Sequence, residues 1–368
     1  MQVPFNAIAV QDASILDEIV AAMARVAHRG WFVLGEEGDA FEREFAPTAG
    51  CAHAIGVGNG TDAIRLALEA VGVGAGDDVV TVPMTAAYTG LAISMLGARP
   101  VFCDVEPVTL TMDPAKLEAA ITPRTRAILP VHLYGQCADL EPILAIAAQR
   151  GIPVVEDVAQ AVGALYDGKP AGSFGAAAAF SFYPTKNLGA YGDGGAVTTN
   201  LASVAEKVRR LRNGGQSQRY RHVELGINSR LDEVQAAVLR VKLGVLPAST
   251  IARRILAGRY DEALHGVQLP REVARRRHVY HLYPVRTPHR EALATALSVA
   301  GVGTIVHYPI ALHLQPMYAA LGHVRGAFPE SERAGDELLS LPLYPGLRPE
   351  QQDAVISAVN AFTASHAG

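Results

Sequence analysis

The sequence has 368 residues, in which 36 acidic and 32 basic side chains leave a formal net charge of −4. A chain so close to neutral has no overall field to attract nucleic acid or an anionic membrane. Its 49% of hydrophobic residues excludes a disordered protein, because there is ample material for a core. Charged residues make up only 18%, below the roughly 25% typical of soluble domains, and this low value needs an explanation.

The cysteines and the apolar segments indicate the compartment. Cys51, Cys103 and Cys137 are far apart and form no CxxC pair, which argues against a disulfide framework and against a zinc knuckle. The first residues, MQVPFNAIAVQD, lack the basic segment and apolar stretch of a secretory signal. No run approaches 18 apolar residues. We therefore expect a cytoplasmic protein without a membrane span.

The N-terminal two thirds of the chain alternate between strand and helix patterns. A helix is predicted over Ser14–Arg29. Strands are predicted over His53–Val57, Asp78–Val82, Pro100–Cys103, Ala127–Val131, Pro153–Glu156, Ala178–Phe182 and Ala196–Thr199. Helices are predicted between them over Thr61–Val71, Leu91–Leu96, Pro114–Ala120 and Leu140–Arg150. This alternation is typical of an α/β fold with a mostly parallel seven-stranded sheet between helices, whose ligands collect at the carboxyl ends of the strands.

The remaining chain is expected to form a smaller α+β domain. A helix over Leu201–Leu211 and a polar loop over Asn213–Asn228 precede a long helix from Arg230 to about Val245, which Pro247 should end. Helices at Arg253–Leu264, Arg290–Ala300 and Glu350–Ala364 and strands at His278–Val285 and Thr304–Tyr308 follow. We expect a large domain over residues 1–245 and a small one over 246–368.

Lys186 is the first candidate for chemistry. It follows a predicted strand in AFSFYPTKNLGAYGDGGAVTT, where its neighbours are apolar, aromatic or glycine. A solvated surface lysine is the simplest interpretation of any lysine, but this setting is a poor one for an ammonium group. Desolvation lowers the pKa of a lysine, and only the neutral amine attacks a carbonyl to form a Schiff base.

Two further features complete a pattern. Glu156 and Asp157 end a buried strand, where a carboxylate either caps the next helix or pairs with a protonated pyridine nitrogen. In GVGNGTDAIRLAL a glycine-rich turn enters a helix without the dinucleotide spacing GxGxxG, and Thr61 and Asp62 there are helix caps or part of a phosphate site. A phosphate cradle, a strand-end aspartate and a desolvated lysine, in this order, together indicate pyridoxal 5′-phosphate.

The motifs also carry a family resemblance over nearly the whole chain. GNGTDA, GDDVVTVP, ARPVFCDVEPVTLTMDP, VHLYGQ, VEDVAQAVGA, SFYPTKNLGAYGDGGAVTT, GINSRLDEVQAAVL and HYPIALHLQPMY resemble the DegT-type nucleotide-sugar aminotransferases, which are fold-type-I pyridoxal phosphate enzymes. The segments around Lys186 and Asn228 are the most specific. The resemblance implies the fold-type-I architecture with the smaller C-terminal domain.

The resemblance assigns the cofactor residues by position. Lys186 would hold the cofactor as an imine and move a proton, Asp157 would pair with the pyridine nitrogen, and Gln160 would lie near the phenolic oxygen, with Ala159 against one face of the ring. The phosphate would bind to three residues, Gly60, Thr61 and Ser181. Asn228 would reach the phosphate in the neighbouring subunit.

Substrate residues follow in the same way. Arg230 would lie near the anionic part of the substrate, and Tyr183, His307 and Tyr308 match positions that line the sugar pocket. One departure concerns the aromatic residue that many relatives stack on the cofactor. VPMTAAYTG has Ala87 at that position and Tyr88 one later, so Tyr88 is a candidate only.

Other residues have simpler interpretations. Tyr191 replaces the more usual leucine or methionine, most simply as a packing change. His278 and His281 form an HxxH, but on a strand they would point to opposite faces, so no metal site is expected. Trp31, Phe41 and Phe45 are expected to pack the N-terminal segment onto the core.

The implied activity is a transamination in two halves. An amino acid, by resemblance most often L-glutamate, would leave its nitrogen on the cofactor, and a keto-sugar nucleotide would then take it up. The segments HVYHLYPVR and HYPIALHLQP favour amination at C3 of a dTDP-3-keto-6-deoxyhexose; C4 amination of the perosamine or viosamine type is the alternative. A sugar dehydratase carries histidine in place of the lysine, so Lys186 argues against one. A non-catalytic regulator or sugar-nucleotide-binding relative is the remaining alternative.

The trans role implied for Asn228 offers a reason for the sparse charge. A site that borrows a residue from a partner requires at least a homodimer. Because obligate interfaces resemble a core cut in half and are depleted in charge, the 18% of charged residues would reflect a large covered surface. The expected partners are thus a second copy of the chain and the two small-molecule substrates.

Overall fold

The structure is a computed structural model that describes residues 1–366. Its α-helices are α1 Ile8–Gln11, α2 Leu16–Arg29, α3 Glu36–Thr48, α4 Gly60–Ala70, α5 Ala87–Ser94, α6 Pro114–Ala120, α7 Leu140–Arg150, α8 Ala202–Leu211, α9 Glu233–Ala263, α10 Arg290–Val299, α11 Pro329–Glu337 and α12 Pro349–Ser365. Its strands are β1 His53–Val57, β2 Asp78–Thr81, β3 Arg99–Phe102, β4 Thr125–Ile128, β5 Val155–Asp157, β6 Leu165–Tyr166, β7 Lys169–Pro170, β8 Ala177–Ser181, β9 Gly195–Thr199, β10 Gln216–Gln218, β11 Arg221–His222, β12 Arg276–Arg277, β13 Tyr283–Arg286 and β14 Leu338–Leu341.

The strands predicted for the core all form, but they are divided between two sheets. One sheet has the order β1-β9-β8-β5 and the other the order β3-β2-β4. All pairs are parallel except those of β9, which is antiparallel to both neighbours. Between β4 and β5 only isolated parallel bridges form, at Ile128–Val154 and Val131–Asp157. Pro130 and Pro153 lie in this seam and have no N–H to donate, which interrupts the ladder.

Helices cover both faces of this layer, as the alternation predicted. Along β8, Ala178 and Phe180 pack with Phe45 of α3 on one face, whereas Ala177 and Ala179 pack on the other face in the cluster that includes α4. This alternation is the period of two that a strand buried on both faces requires. Phe41 and Phe45 are fully buried, as expected, but Trp31 is 60% exposed, so the prediction for Trp31 is wrong.

Helix α9 is longer than predicted. It runs over 31 residues through Pro247, which should have ended it. A proline removes one backbone hydrogen bond, but tertiary packing offsets this, because α2 and α3 pack on the first half and Ala257 and Tyr260 join the C-terminal core. The helix is long and apolar enough to cross a membrane by length and composition alone. In this fold it packs against other helices, and its Arg253 side chain is buried among backbone carbonyls.

The C-terminal part has its own core, built from β13, β14, α10, α12 and the end of α9. The predicted strand His278–Val285 is shortened to Tyr283–Arg286, because Tyr280 has a positive φ of 46° that breaks the extended chain. The predicted strand Thr304–Tyr308 is reduced to one bridge between Ile305 and Ser340. Because α9 crosses residues 245 and 246, the division into two domains at that point stays a prediction.

Candidate active site

The strand-end residues meet where β5 and β8 run side by side. Asp157 is the last residue of β5 and pairs with Ala179 of β8 in parallel register. Strand β8 ends at Ser181, five positions before Lys186. Parallel neighbours end at the same edge, so the fold places the predicted aspartate and lysine at one place. Their charges affect each other, since the carboxylate of Asp157 raises the pKa of Lys186.

Glu156 and Asp157 have different roles in the fold. The fully buried Glu156 accepts hydrogen bonds from the amides of Gly172, Phe174 and Gly175 at 2.8–2.9 Å. It also accepts one from Nε2 of His132 at 3.0 Å; Nδ1 of that ring accepts from the Ala138 amide. These donors hold the pKa of Glu156 below its usual value despite the burial. Glu156 therefore organises a loop, and Asp157 remains for a ligand.

The Asp157 carboxylate is buried, and both of its oxygens accept hydrogen bonds. Its Oδ2 accepts a hydrogen bond of 2.9 Å from the Thr89 hydroxyl, and its Oδ1 accepts one of 3.1 Å from the Ala159 amide. Thr85 in turn lies 3.0 Å from Thr89 Oγ1 and must be the donor of that pair. Burial raises the pKa of Asp157, and these hydrogen bonds and the charge of Lys186 oppose the rise. Sequence reasoning missed Thr89, which no motif distinguishes from an ordinary helix residue.

Lys186 lies on a tight turn and is only partly exposed. Its backbone amide donates to the Tyr183 carbonyl at 2.8 Å. Gly189 closes the turn, and a Cβ there would come within 2.4 Å of the Pro184 carbonyl oxygen. Burial lowers the pKa of Lys186 to about 8, against the opposing effect of Asp157. The expected desolvated amine is thus present, and at a pKa of about 8 roughly a tenth of it is neutral at pH 7.

The N-terminus of α4 provides the expected anion site. Asn59 caps the helix by accepting a hydrogen bond of 2.9 Å from the Asp62 amide. Within residues 1–366, the Gly60 and Thr61 amides have no partner and are free to bind an anion. Ser181 lies next to Gly60, where a Cβ would be 2.7 Å from the Ser181 Cβ. The three predicted phosphate residues are therefore together.

Gln160 connects both halves of the chain beside Asp157. Its Oε1 accepts a 2.7 Å hydrogen bond from the Tyr134 amide, and its Nε2 donates to the Tyr308 hydroxyl at 2.9 Å. Tyr134 in turn donates to the His307 carbonyl. Burial and the Lys186 charge lower the pKa of His307 to about 4, and burial raises that of Tyr308. His307 and Tyr308 thus lie at the site as neutral side chains.

Two tyrosines stay accessible at this site. Tyr88 is 63% exposed, and its charge raises the pKa of Tyr308, which places the two phenols near each other. Ala87, at the position of the family's aromatic residue, packs instead with Phe102 and Leu312. Tyr183 is 53% exposed. Tyr191 packs against α2 and α9, so its interpretation as a packing residue is confirmed.

Among residues 1–366, Asn228 and Arg230 form no hydrogen bond or ion pair with Lys186 or Asp157. Asn228 is exposed, and Nη1 of Arg230 donates to Asn213 Oδ1 at 3.0 Å. Between them, Ser229 donates to Asp62 Oδ2 at 2.6 Å and accepts from the Gly58 amide at 2.9 Å. This segment is therefore tied to the turn before α4.

Asn187 and His281 are additional neighbours of Lys186. Nδ1 of His281 lies 3.2 Å from Oδ1 of Asn187, and the Lys186 charge contributes to a strongly lowered pKa of His281. The HxxH does not lie on a strand, because β13 begins at Tyr283. Among residues 1–366, no group of three or more His, Cys, Asp and Glu side chains is arranged to hold a metal ion.

The arrangement fits pyridoxal 5′-phosphate. The free amides of α4 and Ser181 suit its phosphate, the buried Asp157 suits its protonated ring nitrogen, and the partly buried Lys186 suits its aldehyde. A Cβ at residue 60 would crowd Ser181, so glycine keeps this cradle open.

Residues 13–360 match the model of the DegT/DnrJ/EryC1/StrS aminotransferase family. The chain belongs to this family. It is therefore a nucleotide-sugar aminotransferase, and family structures contain pyridoxal phosphate or its amine form.

Three similar proteins show how far the likeness extends. A "pleiotropic regulatory protein" of Geobacillus stearothermophilus is 47% identical, over 98% of this chain and 99% of its own. A dTDP-3-amino-3,4,6-trideoxy-alpha-D-glucose transaminase of Micromonospora megalomicea is 48% identical, over 93% and 94%. The crystal structure of S. venezuelae DesV in complex with a ketimine intermediate superimposes with a TM-score of 0.96 at 44% identity, over 98% of each chain.

Proposed function

We propose that the protein uses pyridoxal 5′-phosphate to transfer the amino group of L-glutamate to C3 of a dTDP-3-keto-6-deoxyhexose. The observation that carries this proposal is the meeting of Lys186 and Asp157 at adjacent strand ends beside the free N-terminus of α4. The C3 position is supported by the Micromonospora transaminase, 48% identical over nearly all of both chains.

The chain's own residues divide the work. When bound, the cofactor supplies an aldehyde and an electron-withdrawing ring that stabilises negative charge on the substrate carbon. Asp157, which accepts hydrogen bonds from Thr89 and Ala159, would hold a proton on the ring nitrogen. Gly60, Thr61 and Ser181 would bind the phosphate. Lys186, with a pKa near 8, takes a proton as the neutral amine and returns it as the ammonium.

The neutral lining suits a substrate that carries its charge elsewhere. His307, Tyr308 and Gln160 offer donors and acceptors without a permanent charge near the reacting carbon, as a sugar requires. Tyr88 and Tyr183 remain accessible, and we propose Tyr88 as the aromatic residue over the cofactor and Tyr183 as part of the sugar pocket. Arg230 would serve the anionic part of the nucleotide.

We propose that the working unit is a homodimer in which Asn228 serves the partner's site. Large apolar side chains are exposed on two segments: Trp31 is 60% and Phe32 51% exposed, and Leu225, three positions before Asn228, is 92% exposed. The Phe32 carbonyl accepts from the Glu233 amide at 3.0 Å, so residues 31–34 lie beside the start of α9. Contiguous exposed apolar surface marks an interface. Such an interface accounts for the low share of charged residues.

Three further expectations belong to the same proposal: the single sheet, the location of the protein and its division into domains. We propose that the two sheets act as one seven-stranded layer, supported by the parallel bridges between β4 and β5. The cytoplasmic location and the domain division at residue 245 rest on the sequence alone.

One experiment locates the new amine. The purified protein is incubated with ¹⁵N-labelled glutamate in two separate reactions, one with a 3-keto and one with a 4-keto dTDP-6-deoxyhexose. The products are analysed by NMR. The proposal predicts ¹⁵N on C3 of the first sugar. Label on C4 of the second alone would establish the alternative activity, and no label on either would support the regulatory role that the name of the Geobacillus relative describes.

A further inference from the structure

The turn that carries Lys186 is anchored from the C-terminal part of the chain. Asn187, the next residue, donates from Nδ2 to the Val279 carbonyl at 3.1 Å. Its Oδ1 lies 3.2 Å from Nδ1 of His281. A carbonyl oxygen only accepts, so the amide nitrogen of Asn187 must face Val279, and its oxygen must then accept from His281. This fixes the proton of His281 on Nδ1.

No carboxylate among residues 1–366 pairs with His281. It is 7% exposed, and its pKa is lowered first by burial and then by the positive charges of Lys186 and Arg253. His307 and His278 would lower this pKa further only when they are protonated themselves. The imidazole is therefore neutral at neutral pH, and its Nδ1–H serves as a donor without adding positive charge beside the amine.

Arg253 fixes the backbone behind this histidine. Its fully buried guanidinium has no carboxylate partner among residues 1–366, and it donates from Nη1 to the carbonyls of Tyr280, His281 and Leu343 at 2.9–3.4 Å. These bonds hold the segment at Tyr280, where φ is +46°. Burial lowers the pKa of Arg253 to about 10, so it is still charged at neutral pH.

We propose that His281 is a positioning residue for Lys186: through Asn187 it holds the turn that carries Lys186 in its partly buried position. Arg253 fixes His281 from behind. The role assigned to the amine rests on the proposed function, but the anchoring of the turn does not. Loosening the turn hydrates the amine, and its pKa rises towards its ordinary value.

The test measures the amine directly. The full-length protein, freed of bound carbonyl compounds with hydroxylamine, is methylated with formaldehyde and cyanoborohydride over a range of pH, and the Lys186 peptide is quantified by mass spectrometry. His281→Phe removes the Nδ1 donor but keeps a ring. His281→Asn places an amide N–H near the position of Nδ1 and should rescue. Exposed Lys169 is the internal reference.

We expect the pH midpoint of Lys186 methylation to lie near 8 in the wild type. In His281→Phe it should rise by about one unit, which lowers the rate at pH 7 about tenfold, and in His281→Asn it should return to within about threefold. Asn187→Ala should raise the midpoint as much as His281→Phe does, and the double variant should raise it no further. Asn187→Ala also provides the test if His281→Phe does not fold. Wild-type midpoints in folded His281→Phe or Asn187→Ala overturn the proposal. Because formaldehyde reports only on the amine, this outcome is independent of any transaminase activity.

Discussion

The Thr89 hydroxyl donates a 2.9 Å hydrogen bond to Oδ2 of Asp157, across 68 positions of sequence. It ties α5 to the end of β5 and lowers the pKa of this buried carboxylate. Without it, the Ala159 amide and nearby charges such as that of Lys186 would be left to oppose the effect of burial on the pKa of Asp157.

Thr89→Val should therefore weaken cofactor binding. A hydrogen bond to a charged group contributes about 1.5–3 kcal/mol, so we expect affinity for pyridoxal phosphate to fall about ten- to a hundredfold. Fluorescence titration of the cofactor-free protein measures this. Thr89→Ser keeps the hydroxyl and should bind nearly as the wild type does; equal affinity of the serine and valine variants would remove the role of Thr89.

Asp157 and its neighbour Glu156 should respond in opposite ways to the same one-atom change. At a fully buried site, Glu156→Gln replaces one of two oxygens that each accept two hydrogen bonds, so two donors lose their acceptor and face an NH2 group, and the other two bonds lose their charge. We therefore expect a loss of about 3 kcal/mol or more in the free energy of unfolding. Asp157→Asn relieves a buried charge whose pKa is raised, so stability should be unchanged or slightly higher, whereas cofactor affinity is lost. Urea denaturation and cofactor titration of both variants make the comparison; a large destabilisation by Asp157→Asn would contradict it.

Lys186→Ala should abolish turnover and leave the cofactor bound only non-covalently. Loss of a group that serves as both nucleophile and proton carrier costs at least about a thousandfold in rate. Steady-state rates measure the loss of turnover. The covalent link is measured by reducing the protein with borohydride, denaturing it and determining how much cofactor stays attached. Lys169→Ala, at an exposed lysine, is the matched control and should keep wild-type rates. Appreciable turnover by Lys186→Ala would exclude its assigned role.

The lowered pKa of Lys186 has a consequence for stability. Its pKa is about 8 in the folded cofactor-free protein and near 10.4 when unfolded. Between these values the unfolded chain binds more protons, so this group makes stability rise with pH, by up to about 3 kcal/mol. Below pH 8 both states are protonated and the contribution is constant. The difference in unfolding free energy between wild type and Lys186→Met, measured from pH 7 to 10.5, should show this rise; a flat difference would contradict it.

Mixed dimers test the trans role of Asn228. One subunit carries Lys186→Ala and the other Asn228→Ala, so a site that takes its lysine from one chain and its asparagine from the other is intact only in the mixture. Refolding the two inactive variants together should restore activity to one site in a mixed dimer. If each site used its own Asn228, mixing would restore nothing.

The sequence was sufficient for the parts of the site that lie next to strands. Lys186, Asp157 and Gly60 follow predicted strands, and parallel strands bring their carboxyl ends together, so their meeting follows from the fold class. The partners that set the charge of these residues come from elsewhere in the chain. Thr89 is 68 positions from Asp157, and His281 is 94 positions from Asn187; no local pattern reports such pairs.

The errors in the fold have the same origin. Pro247 ends a helix reliably only where local backbone preferences alone determine the structure. In α9, packing on both halves of the helix outweighs the one missing hydrogen bond. Pro130 and Pro153 interrupt the ladder between β4 and β5, although the strand patterns around them read as continuous. Trp31 is a large apolar residue of the kind that fills a core, but it is exposed. Subunit interfaces contain the same kinds of residue as cores, so the residue type alone does not distinguish the two.

The most direct test of the account is the visible absorption of the purified protein. With pyridoxal phosphate added, the wild type should show an absorption band that disappears on addition of L-glutamate and returns when the 3-keto sugar nucleotide follows. A protein that shows no band, and does not react with added pyridoxal phosphate, would contradict the assignment of Lys186 and Asp157 to the cofactor.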